Sequence, residues 1–369
     1  MNKKIKNKIK NLSKFINYHN YRYYILNKPE ITNYDYDKKR NTLIKLEKKY
    51  NYYYKKSPTQ KLQNNILTKN NRFKLAKHYF KMYSINNVYS KKKLLLWNKK
   101  NEKKIGNKIN YICELKYDGI AISIIYKYGK LENAVTRGDG INGYVVLKNI
   151  LYIKKIPKYI KEIKNIKILD IKGEIVFSKK NFKILNKKRK IKFSNPRNAA
   201  NGTIHNIKNN ELIKKKLDFV PYYIYTKDKE FNNKIDSQYR TIKFLNKYYF
   251  KFQKKSYKLC KNSKKIINYI KYWETNKNKS KYPIDGIVIK INKFKLQKKI
   301  KYNNIFHKWC IAYKFRDKEY KTKLKNINFN IGKSGLIIPI INFKPIKISG
   351  TIIKRATLHN SYIFSKHKL

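Results

Sequence analysis

Over residues 1 to about 55 the apolar positions keep a helical period: Leu12, Phe15, Ile16, His19 and Tyr23 fall three, four or seven residues apart. Pro29 ends that segment. Thr32 or Asn33 can cap a second helix, with Asp35 and Asp37 in its first turn and lysines at its end, as the helix dipole prefers. Residues 56–77 contain SPTQ and little periodicity, which predicts a linker. From Tyr111 the pattern changes to short β-rich runs punctuated by Gly and Asn. YICEL, IAISIIYKYG, KLENAVTRG, ILDIKGEIVF, LDFVPYYIY, IDGIVIKIN and WCIAYKF read as strands, and segments 179–190 and 262–276 as intervening helices. The pattern predicts an α+β domain built around antiparallel sheets, followed from about residue 319 by a second β unit. The expected organisation is a helical domain over 1–55, a linker over 56–77, a main domain over 78–318 and a β domain over 319–369.

Composition changes this picture little. Apolar residues make up 41% of the 369, enough for a sizeable core. No apolar run approaches the roughly 18 residues of a membrane span, and the basic N-terminus lacks the apolar stretch of a signal peptide. The three cysteines, Cys113, Cys260 and Cys310, are widely spaced and give neither a disulfide framework nor zinc-type spacing, which predicts a reducing cytoplasm. The formal charge of +71 would attract any polyanion. The chain's lean towards Lys, Asn, Ile and Tyr is equally what A/T-rich coding produces, so charge alone decides nothing.

Against so much lysine, one position stands out. Lys116, in CELKYDG, is followed by an Asp118-Gly119 pair that makes a tight turn, and Glu114 lies on the same strand face. Apolar flanks would desolvate the amine and lower its pKa, whereas a carboxylate would raise it, so the net shift is open at this level. A solvated lysine at a strand end is the bland alternative.

Lys-Tyr-Asp-Gly resembles the signature of the covalent nucleotidyltransferases. The longer string CELKYDG…TRGDGINGYVV resembles the bacterial NAD-dependent DNA ligases, and further strings follow in that family's order. They are KMYSINNVYS, KGEIVF, FSNPRNAANGT, YPIDGIVIKIN, KWCIAYKF and GKSGLIIPIINFKPIKISGTIIKRATLHN. The N-terminal YHNYRYYILNKPEITNYDYDKKRNTLIKLEKKY, with SPTQ, resembles the small helical domain of the NAD-using branch. The resemblance covers nearly all of this chain but only about the first half of a typical member. It implies an ATP-grasp-like antiparallel β adenylation domain, preceded by a nicotinamide-mononucleotide-binding domain and followed by an incomplete OB-fold.

The implied chemistry is nick sealing in DNA replication and repair. A lysine attacks the α-phosphorus of NAD, the AMP passes to a 5′-phosphate, and a 3′-hydroxyl expels it. The resemblance assigns the nucleophile to Lys116 and puts Lys290, Lys314 and Arg137 on phosphates or ribose. Glu174 would take the ribose or Mg²⁺, and Asp118 the sugar or Lys116 itself. Glu114 and the backbone near Ser84 and Ile85 would recognise adenine, with Tyr222 stacking on it. Tyr23, Tyr24, Asn33, Tyr36 and Asp37 would hold the nicotinamide mononucleotide half. Arg197 and His205 would serve DNA or a phosphate. The chain departs from the family at Tyr24 (usually His), Asn33 (usually Asp), and His205 and Lys277 (usually Arg). On the resemblance, the four-cysteine zinc module, the helix-hairpin-helix domain and the BRCT domain of a typical member are expected to be missing. The expected partner is therefore nicked DNA, with a second chain as one source of the missing clamp domains, and no membrane. An ATP-dependent nucleotidyltransferase and a non-catalytic basic protein that only coats nucleic acid are the alternatives.

Overall fold

The computed structural model describes residues 3–24, 30–31, 33–55, 57–59, 73–106, 108–187, 189–205, 216–248, 252–300, 306–315, 320–331, 337–348 and 351–358. The chain divides into two compact units, one formed by Met1–Lys190 with Pro196–Phe315 and the other by Ile191–Asn195 with Arg316–Leu369.

The first unit opens with helices α1 (Lys3–Tyr24) and α2 (Asn33–Tyr50). They join through the fully buried Ile9, Ile16 and Leu43, which the helical period of the sequence brings onto facing stripes. Most of the expected linker lies outside the described residues. Its last three residues correct the expectation: Leu75–Lys77 form strand β1. A three-residue edge strand with mostly exposed side chains has no alternation to betray it.

The main body then runs through β2 (Asn87–Val88), α3 (Lys91–Ile105), β3 (Tyr111–Tyr117), β4 (Ile120–Lys127), β5 (Lys130–Thr136), β6 (Asn142–Tyr144) and β7 (Leu169–Phe177). It continues through β8 (Leu217–Tyr225), β9 (Tyr257–Cys260), β10 (Ile284–Ile291) and β11 (Cys310–Lys314). Helices at Lys179–Lys187, Pro196–Ile204, Gln238–Tyr248, Ser263–Thr275 and Phe294–Ile300 connect the strands. One sheet has the order β2-β11-β10-β3-β9, antiparallel except where β2 meets β11. A second, wholly antiparallel sheet has the order β5-β4-β7-β8. Strands β3, β7 and β10 are buried along nearly their whole length, although each carries charged residues as well as apolar ones. The larger core gathers Tyr111, Ile270, Trp273, Ile287, Ile289 and Ile311 beneath the five-stranded sheet.

The chain passes from one sheet to the other in two residues. Strand β3 ends at Tyr117, Asp118 and Gly119 turn, and β4 begins in the second sheet at Ile120. The transition needs a glycine, because a Cβ at Gly119 would stand 2.4 Å from the Ile175 carbonyl oxygen. A second Asp-Gly pair does similar work in β10. The β3–β10 register shifts between Ile284 and Gly286, leaving Asp285 as the extra residue of a bulge, which re-aims its side chain. Gly286 lies opposite Lys116 on one neighbour and Lys314 on the other.

In the second unit, β12 (Leu324–Ile331), β13 (Ile337–Ile348) and β14 (Thr351–Thr357) form one antiparallel sheet in that order.

Gly286 gives the first test. A Cβ there would meet the Tyr313 carbonyl oxygen at 2.2 Å and the Lys314 Cα at 3.0 Å. Gly286→Ala is expected to lower stability by about 2–3 kcal/mol in denaturant unfolding, because β11 must move away. An unchanged midpoint would mean that β10 and β11 are not this closely paired.

Candidate active site

Strand β3 sends Glu114 and Lys116 to the same side, two residues apart. Strand β7 of the other sheet does the same with Asp170, Lys172 and Glu174. These two faces converge where β3 hands over to β4.

The Lys116 amine donates to Asp285 Oδ2 at 2.9 Å. Burial alone would lower the lysine pKa. Asp285, with Asp118 and Glu174 in support, more than offsets that, and the amine is held above its ordinary range. Asp118 is fixed in turn: its backbone N–H donates to the Pro283 carbonyl at 2.9 Å, and its Oδ1 accepts from Arg197 Nη1 at 2.9 Å. Arg197 comes from the second residue of the helix Pro196–Ile204, where the Asn-Pro-Arg-Asn string starts a helix with proline in its first turn.

Glu174 sits among all of these. Burial pushes its carboxyl up to about 7, against the pull of Arg197, Lys116 and Arg137 and with the help of Asp118. Its Oε2 atom is buried without a hydrogen-bond partner, and so is Oδ1 of Asp285. A buried oxygen left unmatched is costly unless a ligand supplies the missing donor or cation. Among the described residues, no group of three or more His, Cys, Asp and Glu comes together as a metal cage. These two oxygens fit instead a hydroxyl, or a Mg²⁺ held mainly by phosphates.

Glu114 and Lys290 make a second ion pair, fully inside, at 2.8 Å. Lys290 also donates to the Tyr222 carbonyl at 2.8 Å, and Gln238 Nε2 donates to Glu114 at 3.1 Å and to the same carbonyl at 2.6 Å. Burial raises the Glu114 pKa, and Lys290 and Gln238 act to lower it. The Tyr222 ring lies 5.5 Å from the Lys290 amine. Burial pushes its phenol well up, so it stays neutral.

Ser84 makes an isolated parallel bridge to Phe306, and Ile85 packs against the main core. In the helical domain, Asp37 accepts from Asn87 Nδ2 at 2.9 Å and from the Tyr89 hydroxyl at 2.7 Å, with the Lys314 amine 3.8 Å away. The Tyr36 hydroxyl donates to Asn20 Oδ1 at 2.7 Å. Tyr23 and Tyr24 end α1 and Asn33 opens α2, with side chains outside the described residues.

His205 does not join this group. Its ring stands edge-on to Phe73 and Tyr144, its Nδ1 bonds the Asn201 carbonyl at 3.1 Å, and burial lowers its pKa. The expected role of His205 towards DNA or a phosphate would rest on its ring as a weaker donor than arginine. Lys277 lies with its amine 4.6 Å from the Phe315 ring.

Sequence reasoning missed Asp285, Gln238, Asn87 and Tyr89. For Asp285 a signal existed. With only 21 acidic residues in the chain, a carboxylate inside the apolar string YPIDGIVIKIN, and in a second Asp-Gly pair, needed a reason.

Comparison with known proteins bears on the whole chain. The description "NAD-dependent DNA ligase adenylation domain" matches residues 70–318. "DNA ligase-like, N-terminal NAD+-binding domain" matches 2–63, and "NAD-dependent DNA ligase OB-fold domain" matches 321–369. A protein named DNA ligase from Flavobacterium psychrophilum is 39% identical over 360 residues, covering 96% of this chain and 53% of the relative. Another so named, from Fervidobacterium nodosum, is 36% identical over 365 residues, covering 98% of this chain and 52% of its own length. The chain thus spans about half the length of the curated relatives it matches. Among solved structures, the ATP-dependent DNA ligase of bacteriophage T7 in complex with ATP aligns over 73% of this chain and 79% of its own, at 14% identity and a TM-score of 0.32. That likeness is too remote to carry an argument.

The Glu114–Lys290 pair yields a prediction with a sign. Lys290→Met leaves a buried carboxylate without its cation and is expected to cost about 3–5 kcal/mol near neutral pH. With Lys290 gone, the Glu114 pKa in the folded state rises further above its unfolded value. Stability is then lost as pH rises through that folded value and is recovered on acidification. Unfolding of the variant at pH 7 and pH 5 should show a smaller deficit at pH 5, and an equal deficit at both would contradict the pairing.

Proposed function

Because the chain belongs to the family of NAD-dependent DNA ligases, we propose that it forms a covalent lysyl-AMP at Lys116 from NAD and passes the AMP to the 5′-phosphate of nicked DNA. The observation that carries this reading is the Lys116 amine, 2.9 Å from Asp285 and surrounded by Asp118, Arg197 and the unpartnered Glu174 oxygen.

Each group has a task that its surroundings support. Lys116 is the nucleophile, and its nitrogen must lose a proton before its lone pair can reach the α-phosphorus. Asp285 orients the amine and is the nearest base to receive that proton. Nicotinamide mononucleotide leaves as the new P–N bond forms. Lys290, Lys314, Arg137 and Arg197 are the cations available to the charge that spreads over the phosphate oxygens. Mg²⁺, when bound, would neutralise phosphate charge, and Glu174 with its open oxygen is the residue to help hold it. Asp118, held by Arg197, and Glu174 would take ribose hydroxyls. Glu114, Tyr222 and the backbone at Ser84 and Ile85 would take adenine. Asp37 and Tyr36 supply a carboxylate and a phenol for the nicotinamide mononucleotide half, at the point where α2 meets Asn87, Tyr89 and Lys314.

The experiment is intact-protein mass after incubation with NAD and Mg²⁺, beside ATP and Mg²⁺. The expected result is a gain of one AMP with NAD alone, reversed by added nicotinamide mononucleotide and absent from Lys116→Ala. Adduct from ATP instead would move the chain to the ATP-using nucleotidyltransferases. No adduct from either, in folded protein that still binds DNA, would leave a basic nucleic-acid-binding protein. Sealing of a nicked duplex by the adenylylated chain, with and without a second chain supplying clamp domains, is then a separate assay.

A further inference from the structure

Behind the site lies a second buried lysine that the chemistry above does not use. Lys172 is 3% exposed and shares the β7 face of Glu174. Its amine donates to the Phe80 carbonyl and, at 2.8 Å, to the next carbonyl, that of Lys81. Asp170 Oδ2 stands 3.8 Å away, and the Tyr225 ring lies 4.8 Å below. Among the described residues no backbone N–H takes either carbonyl. In an extended chain successive carbonyls point to opposite sides, so two on one ammonium define a bend.

That bend starts a segment that touches much of the site. Met82 N–H donates to the Gly140 carbonyl at 2.9 Å, and His78 N–H to Ile141 at 2.8 Å, in the loop that follows Arg137. Ser84 and Ile85 come next, then Asn87 and Tyr89 with their bonds to Asp37. An apolar side chain in place of Lys172 would leave both carbonyls unmatched and Asp170 without its cation, so the lysine is what fixes the bend at Phe80 and Lys81.

We propose that Lys172 is a positioning residue for nucleotide recognition, its ammonium clamping the Phe80 and Lys81 carbonyls so that the Ser84–Ile85 backbone and the Asn87–Tyr89 contacts are held against the bound NAD. This rests on the reading of Ser84 and Ile85 as adenine contacts. Lys172 touches no reacting atom, and its effect is on affinity rather than on the chemical step.

Adduct formation on Lys116 against NAD concentration provides the test. At pH 7, Lys172→Met should raise the KM for NAD about tenfold and leave the limiting rate within about threefold, whereas Lys172→Arg should keep both near the wild-type values. An unchanged KM in Lys172→Met, or a fall in limiting rate alone, overturns the proposal. Hydrogen exchange decides the clamp without turnover: residues 82–89 should exchange faster in Lys172→Met, or in Lys172→Gln if the methionine variant does not fold, and unchanged exchange there also overturns it. If the wild type formed no adduct while exchange behaved as expected, the nucleotide reading would fail and the clamp would stand.

Discussion

Lys116 and Asp285 reach each other because two strands of one sheet are irregular at the same place. Strand β3 leaves the sheet one residue after Lys116, through the Asp118-Gly119 turn, and β10 carries its bulge at Asp285, opposite. The bulge aims the carboxylate at the amine, and the turn carries Asp118 towards Arg197 and the second sheet. Without the pairing of these irregularities the lysine would be one more charged residue at a strand end. With it, the amine is fixed beside a carboxylate whose second oxygen has no partner.

The rest of the site follows a common economy. Acidic residues are scarce in this chain, and around the site they are paired with cations: Glu114 with Lys290, Asp118 with Arg197, and Asp170 with Lys172 of its own strand. Glu174 is the exception, with three cations near it and an open oxygen. A buried carboxyl whose pKa is pushed up and whose bonding is incomplete marks a place where a ligand completes the structure. The surplus of lysine outside the site does none of this, because solvated lysines on a strand face gain little from any one partner.

Much of this was legible in the sequence. The short β-rich runs punctuated by Gly and Asn named the strands. Lys116 stood out as a charge among apolar flanks, and Glu174 and Lys290 through the family resemblance. The helix α3 was not foreseen, and its composition explains why: its buried face is Leu94, Asn98 and Asn101, so polar residues hold inward positions and erase the apolar period. Asp285 was hidden because a bulge is a property of two paired strands, which no single string displays. The surroundings of His205 were also hidden, because the Phe73 and Tyr144 rings that stand against it are distant in sequence.

The most direct test of the central pairing is the pH dependence of adduct formation at saturating NAD, in the wild type and in Asp285→Asn. Asp285 holds the Lys116 pKa above its ordinary range. The wild-type rate should therefore rise about tenfold per pH unit through neutrality, as the small neutral fraction of the amine grows. Asp285→Asn removes the carboxylate and leaves burial, so its profile should move to lower pH while its plateau falls for want of an oriented amine. A flat wild-type profile, or a variant profile displaced to higher pH, would contradict the account.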